Sequence, residues 1–262
     1  MNAIKNTLKK IFAHWGIKIQ RIPKRSSKLI EILGLNEIPI KEIVINNNGT
    51  ITLRSLNNLE INPKQHKFII EGYRILFELK ECYNAKLDVS SILTIEIGDL
   101  KFKISTYEEI FILKEIFITG VYNLSIAPNK KAIFIDIGMN IAITSLFFAS
   151  KPQITAVFSF EPFYETFIRA EENININSNF RKKIRAYNYG LGNSDRKEIW
   201  EYDPEYKGSM GINGLPDFLS NKPSEHRKVE VKIKDIVPEL KEIINENISC
   251  QKIGRASCRE RV

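Results

Sequence analysis

Residues 130–150 read KKAIFIDIGMNIAITSLFFAS, and the fold turns on this stretch. Its apolar run, Ala132 to Ile137, predicts a strand covered on both faces, as in a parallel sheet. Asp136 falls at the carboxyl end of that strand, where open α/β sheets bind their ligands. Gly138 permits a sharp turn and a close approach of backbone to ligand. Asn140 stands where it can N-cap a helix from Ile141, whose leading N–H groups favour a carboxylate or phosphate. The spacing therefore predicts strand, turn and helix around a nucleotide-type site.

A second apolar run, Ile154 to Phe160 (ITAVFSF), ends in Glu161-Pro162. An acid at the tip of a second strand suits a ribose diol, because two hydroxyls can donate to one carboxylate. Dinucleotide folds place such an acid about 20 residues beyond their glycines. The G-x-G-x-x-G of dehydrogenases is absent, since Asn140 occupies the second glycine position, and this argues against a nicotinamide cofactor.

The segments FIDIGMNIAITSL, VFSFEPF and YNYGLGNSDRKEIWEY resemble the FkbM family of S-adenosylmethionine-dependent methyltransferases, with its D-x-G-x-N-x-G, F-E-P and A-L-G-like motifs. Upstream, LTIEIGDLKFKISTYEEIFILKEIFITGVYNL is similar to the strand and helix preceding those motifs, so the resemblance spans residues 92–253. Ala142 departs from the pattern, standing where the family commonly has glycine. The resemblance implies a Rossmann-like class I α/β fold with a mostly parallel sheet. It also implies methyl transfer from S-adenosyl-L-methionine, with O-methylation of a sugar or small-metabolite hydroxyl as the expected reaction. Asp136, Gly138 and Asn140 would hold the methionine portion and Glu161 the ribose. Gly190 and Gly192, after a third strand from Ile184 to Tyr189, either let an adenine ring approach or form a plain tight turn. Tyr122 would pack over the cofactor or serve only as an aromatic lid. Ser209, in the glycine-rich KGSMGINGL, is the candidate for acceptor contact, the alternative being a surface loop. No general base is assigned. The rival reading is a nucleotide-fold binding or assembly module without catalysis.

The ending IGRASCRERV matches the translation of a common sequencing adapter and has no apolar patterning. Residues 254–262 are accordingly read as a non-native tail following a strand start at ISCQKI. A class I sheet usually has seven strands, and this chain would stop at the fourth. On that reading the fragment lacks part of the catalyst and is expected to be inactive or poorly folded.

The net charge is +8, with 43% hydrophobic and 10% aromatic residues, as suits a packed core. The lysines are scattered along the sequence without an aromatic-interleaved cluster, which excludes a nucleic-acid groove on this criterion. His14, His66 and His226 lie far apart, so no metal site is expected. Cys82 and Cys250 have no paired spacing, consistent with reduced thiols and a cytoplasmic location. No run approaches the roughly 20 apolar residues of a spanning helix. Residues 2–15 form an amphipathic pattern through Ile4, Leu8, Ile11, Phe12 and Trp15 that permits weak contact with an anionic membrane, or packing on a domain.

Residues 1–91 are assigned to this helix and a small α+β accessory region, with 92–253 forming the incomplete four-stranded methyltransferase-like domain. Hairpins are predicted at Ile43 to Leu53 and at Ile92 to Ile104, the latter turning at Gly98-Asp99. Helices are predicted at Gln65 to Tyr83, Tyr107 to Thr119 and Tyr164 to Ile176. Strands are predicted at Glu198 to Tyr202 and Val229 to Ile236, with Asp235 read as a helix cap rather than a catalytic group.

Overall fold

The computed structural model describes residues 33–34, 37–122, 126–127, 129–203 and 227–247, together with the backbone of 252–257. The expected helix over 2–15 and Ser209 lie outside these residues. The amino-terminal part is a three-stranded antiparallel meander, β1 (Ile43–Ile45), β2 (Ile51–Leu53) and β3 (Leu59–Ile61), the first two forming the predicted hairpin. The predicted helix over 65–83 is two pieces, α1 (Lys67–Glu71) and α2 (Tyr73–Tyr83), interrupted at Gly72.

A second antiparallel sheet follows: β4 (Lys86–Val89), β5 (Leu93–Ile97) and β6 (Leu100–Ile104). Its burial alternates strictly along β5 and β6, so one face is core and the other polar. The helix α3 (Tyr107–Leu113) starts in a capping box between Thr106 and Glu109, then continues as a π-helical turn to Ile118. Buried residues from Leu33 through Leu146 form one hydrophobic cluster, so the apolar contact runs uninterrupted across position 91/92.

The nucleotide-type part comprises β7 (Ala132–Ile137), α4 (Ile143–Ala149), β8 (Ile154–Phe160), α5 (Tyr164–Ile176), the short α6 (Ser178–Arg181) and β9 (Ile184–Tyr187). A small mixed sheet is built from β10 (Gly190–Gly192), β11 (Arg196–Tyr202) and β12 (Arg227–Asp235), followed by α7 (Ile236–Glu246) and β13 (Lys252–Ser257). The central sheet is parallel, in the order β13-β7-β8-β9. Its first strand therefore has later strands on both sides, which makes the β7/β13 junction a topological switch point.

The backbone of β13 pairs with β7 from Lys252 to Ser257, so pairing continues past residue 253, where the sequence reading ended the fold. Ala132 and Phe134 pack with Phe148 and Ala149 of α4, whereas Ile133 and Ile135 pack with Ile243 of α7. This two-sided burial explains the β-branched run: both faces of β7 are core.

Two asparagines weld the β6 hairpin to this part. The Asn177 side chain accepts from the Lys101 N–H at 2.9 Å and donates to the Lys101 carbonyl at 2.7 Å. Asn173 treats Lys103 likewise, accepting at 2.7 Å, and also donates to the Ile141 carbonyl at 3.0 Å. A side-chain amide carries the same donor and acceptor as a peptide. The pair thus satisfies the edge of β6 as another strand would, which blunts it against intermolecular pairing.

Candidate functional site

The carboxyl ends of β7 and β8 lie side by side, with Ile137 opposite Phe160 in register. Asp136 and Glu161 therefore occupy adjacent strand tips, 3% and 5% exposed. Asp136 points to the α4 side, where its Oδ2 accepts from the Ser145 hydroxyl at 2.6 Å. Ser145 and Ser159 are 2.8 Å apart, and because Ser145 gives its proton to Asp136, Ser159 is the donor in that contact. Burial pushes the Asp136 carboxyl up to about 6, against the opposing pull of the Ser145 hydrogen bond.

Glu161 reaches back to the turn after β7. Its Oε2 accepts from the Asn140 N–H at 3.1 Å and its Oε1 from the Phe163 N–H at 3.0 Å. The N–H groups of Gly138 and Met139 both donate to the Phe160 carbonyl, at 2.9 and 3.0 Å. The turn thus clamps β7 to the tip of β8, and much of its donor capacity is spent inside the protein.

Three residues of the turn are left-handed: Gly138 (φ 80°), Asn140 (φ 50°) and Ala142 (φ 67°). The helix starts at Ile143, with Ala142 at its N-cap position and no side-chain cap. Asn140 is therefore not the predicted N-cap of a helix from Ile141. Its residue type answers a different need, because asparagine tolerates the left-handed region where most side chains do not. Its Oδ1 is buried and has no hydrogen-bond partner.

Ala142 pays the steric penalty in full, being fully buried among Met139, Ala170 and Ile174. Ala142→Gly should relieve about 1–2 kcal/mol of left-handed strain. It forfeits about 0.8 kcal/mol of methyl burial and about 0.4–1 kcal/mol through a freer unfolded chain. Urea unfolding of the variant should fall within about 1 kcal/mol of the parent, since these terms offset.

Gly190 and Gly192 form no turn. They are the ends of β10, parallel to β12, and neither has positive φ. A Cβ on Gly190 would meet Ile233 Cδ1 at 2.9 Å, and one on Gly192 would meet Ile233 Cγ2 at 2.6 Å. Close packing on Ile233 accounts for both glycines. Tyr122 packs edge-on against Phe148, 6.2 Å between centroids, in the cluster around Ala132 and Ile154. That cluster sits at the amino end of β7, so neither expected role over the cofactor is met. Asp235 caps α7 by accepting from the Val237 N–H at 2.8 Å, as expected.

Ser145 and Ser159 escaped the sequence reading, although each is a small hydroxyl residue inside a largely apolar run, ITSLFFA and ITAVFSF. Among the described residues, no group of His, Cys, Asp and Glu could hold a metal ion, and no helix is long and apolar enough to cross a membrane.

No protein-family model matches the chain. Among curated proteins, it is 27% identical over 146 residues to Methyltransferase 1 of Beauveria bassiana, a match covering 52% of this chain and 57% of that protein. It is 30% identical over 126 residues to the AMB antimetabolite synthetase AmbE of Pseudomonas aeruginosa, covering 44% of this chain and 6% of that much longer protein. The chain thus spans less than two thirds of either relative. Among solved structures, methyltransferase FkbM from Methylobacillus flagellatus KT superposes with a TM-score of 0.27 at 13% identity, covering 70% of this chain and 36% of that one. The N-terminal domain of human METTL16 in complex with SAH gives 0.27 at 16% identity, covering 59% and 54%. Superpositions this partial add no weight. The parallel neighbours β7, β8 and β9, with a helix after each of the first two, make an open α/β sheet of nucleotide-type form, and over about half its length the chain is similar to a curated methyltransferase.

Proposed function

We propose that the chain belongs to an enzyme that methylates a hydroxyl of a sugar or other small metabolite, using S-adenosyl-L-methionine. The observation that carries this reading is Glu161 at the tip of β8, its carboxylate held against the turn of β7 by the Asn140 N–H. The Glu161 oxygens accept the Asn140 and Phe163 N–H groups at 3.1 and 3.0 Å. A carboxylate oxygen can accept two hydrogen bonds, which suits Glu161 to a ribose diol. The partnerless Oδ1 of Asn140 is a buried acceptor that an ammonium donor would satisfy. The residues present therefore fit the cofactor.

When bound, the cofactor supplies a methyl group already activated by a sulfonium. The protein's part is then to align donor and acceptor and to exclude water, effects that reach about 7–11 kcal/mol in well-oriented reactions. Glu161 orients the ribose, the turn Gly138–Ala142 sets the distance between the two strand tips, and Asp136 braces α4 beneath them through Ser145.

Calorimetric titration with S-adenosylhomocysteine tests the reading. Glu161→Gln keeps the shape but removes the charge, and should weaken binding about 30-fold, or about 2 kcal/mol, as expected for hydrogen bonds to a charged group. Equal affinity in parent and variant would remove Glu161 from the cofactor site. Transfer of a labelled methyl group to sugars, but not to nucleic acid or protein, would support the acceptor class. Tight ligand binding with no transfer to any acceptor would favour a binding module instead.

A further inference from the structure

Lysines dispersed along the sequence meet at one end of the parallel sheet. Lys130 and Lys131 precede β7, Lys151 precedes β8, and Arg181, Lys182 and Lys183 precede β9. These strands are parallel neighbours, so their amino ends form one rim, at the opposite end of the sheet from Gly138 and Glu161. Backbone bonds fix the rim: the Ala132 N–H donates to the Gln153 carbonyl at 2.9 Å and the Val157 N–H to the Lys183 carbonyl at 2.7 Å. Segments 123–135, 150–160 and 173–189 contain no Asp or Glu. On the neighbouring α7, Glu246 is already paired with Arg185 at 2.6 Å.

Two of the six cations also have a structural role. The Lys183 ammonium donates to the carbonyls of Ala149 (2.9 Å) and Lys151 (3.2 Å), and Lys131 donates to that of Pro152 (3.3 Å). They complement the carboxyl end of α4. Burial, and after it the nearby Lys131 charge, draws Lys183 below its usual range. Lys151 lies 4.0 Å over the Phe147 ring. Lys130, Arg181 and Lys182 are exposed, with Arg181 donating to Asn175 Oδ1 at 2.7 Å. Gathering these charges without a carboxylate is repulsive unless an anionic surface approaches.

We propose that this rim docks on the anionic headgroups of a phospholipid bilayer. Five of its six cations are lysines, compact point charges suited to diffuse attraction, whereas arginine's fork suits specific phosphate contacts. The rings nearby, Phe147 and Phe180, are half-buried and so are not presented for base stacking. Residues 1–30 add eight Lys or Arg and no acid, with Ile4, Leu8, Ile11, Phe12 and Trp15 at helical spacing, a composition suited to the same surface. Docking by this end leaves the Gly138–Glu161 end facing solution.

Co-sedimentation of the full chain with phosphatidylserine-containing vesicles, against pure phosphatidylcholine vesicles, tests the proposal. Binding should require the anionic lipid and fall as salt is raised. Lys130→Glu with Lys182→Glu changes two exposed residues and should leave the circular dichroism and melting temperature intact. It should weaken vesicle binding at least about 30-fold, from about 1 kcal/mol per basic residue near such a surface. Unchanged binding by the double variant overturns the proposal, as does equal binding to neutral vesicles or no binding at all. Tighter binding to a DNA or RNA oligonucleotide than to the vesicles at equal salt overturns the lipid assignment.

Discussion

Asp136→Asn should stabilise the protein at pH 7.5 by about 2 kcal/mol, and the gain should vanish towards pH 4. The carboxyl is 3% exposed and accepts a hydrogen bond from the Ser145 hydroxyl at 2.6 Å. One such bond does not replace the hydration lost, so burial raises the group to about 6 from an ordinary value of 3.8. A carboxyl raised in the folded state binds its proton more tightly there than in the unfolded chain. Folding therefore loses stability as pH rises from the unfolded value through the folded one, and the full penalty is present above about 6. A shift of this size corresponds to about 3 kcal/mol. Asparagine is never charged and can still accept from Ser145, but its amide N–H₂ needs partners of its own, so part of that gain is forfeited. Urea unfolding of parent and variant from pH 4 to 8 checks this. Parallel stability curves, with no convergence at low pH, would show that Asp136 is not a buried charge. A protein that keeps such a group at a strand tip forgoes stability there. That pattern belongs to ligand sites more often than to scaffolding, so the same variant should be more stable and bind S-adenosylhomocysteine less well.

What could be read from the sequence was local. The helix over Tyr164–Ile176, the hairpin turning at Gly98 and the cap at Asp235 each depend on residues within a few positions of one another, and each forms as expected. The parallel run Ala132–Ile137 was equally legible, because burial on both faces leaves a continuous apolar signature. The misreadings share another cause. Asn140 reads as a cap because asparagine serves both caps and left-handed turns, and only backbone geometry separates the two. Gly190 and Gly192 answer to Ile233, some forty residues away, and no local pattern announces a partner at that distance. The same holds for Asn173 and Asn177, whose partners lie on β6, and for Ser145, whose partners lie on two strands. Charge behaved likewise: lysines that look diffuse in sequence become a rim only when three strands align their amino ends.

Glu109→Ala should be the more damaging change, lowering stability by about 3–5 kcal/mol through the loss of one partner of a buried ion pair. Glu109 is 1% exposed and is used several times over. It completes the capping box of α3, accepting from the N–H groups of Ser105 (2.7 Å) and Thr106 (3.2 Å). It also receives both arms of the Arg169 guanidinium, one at 3.1 Å. Arg169 lies on α5, the helix that leaves the Glu161-Pro162 tip, so this fork ties the hairpin side of the molecule to the Gly138–Glu161 end. Truncation leaves a largely buried cation without its counter-charge and two N–H groups without their acceptor, whereas a surface pair would contribute at most about 1 kcal/mol. Glu109→Gln keeps an acceptor for the cap and should cost about half as much, while Arg169→Ala leaves the carboxylate its backbone donors. A double-mutant cycle on Glu109 and Arg169 should give a coupling above about 1.5 kcal/mol, because each loss strands the other group. Additive effects would mean that the fork is incidental and that the capping box alone holds α3. A large coupling, accompanied by weaker S-adenosylhomocysteine binding in Arg169→Ala, would show that the position of α5, and with it Glu161, depends on this contact.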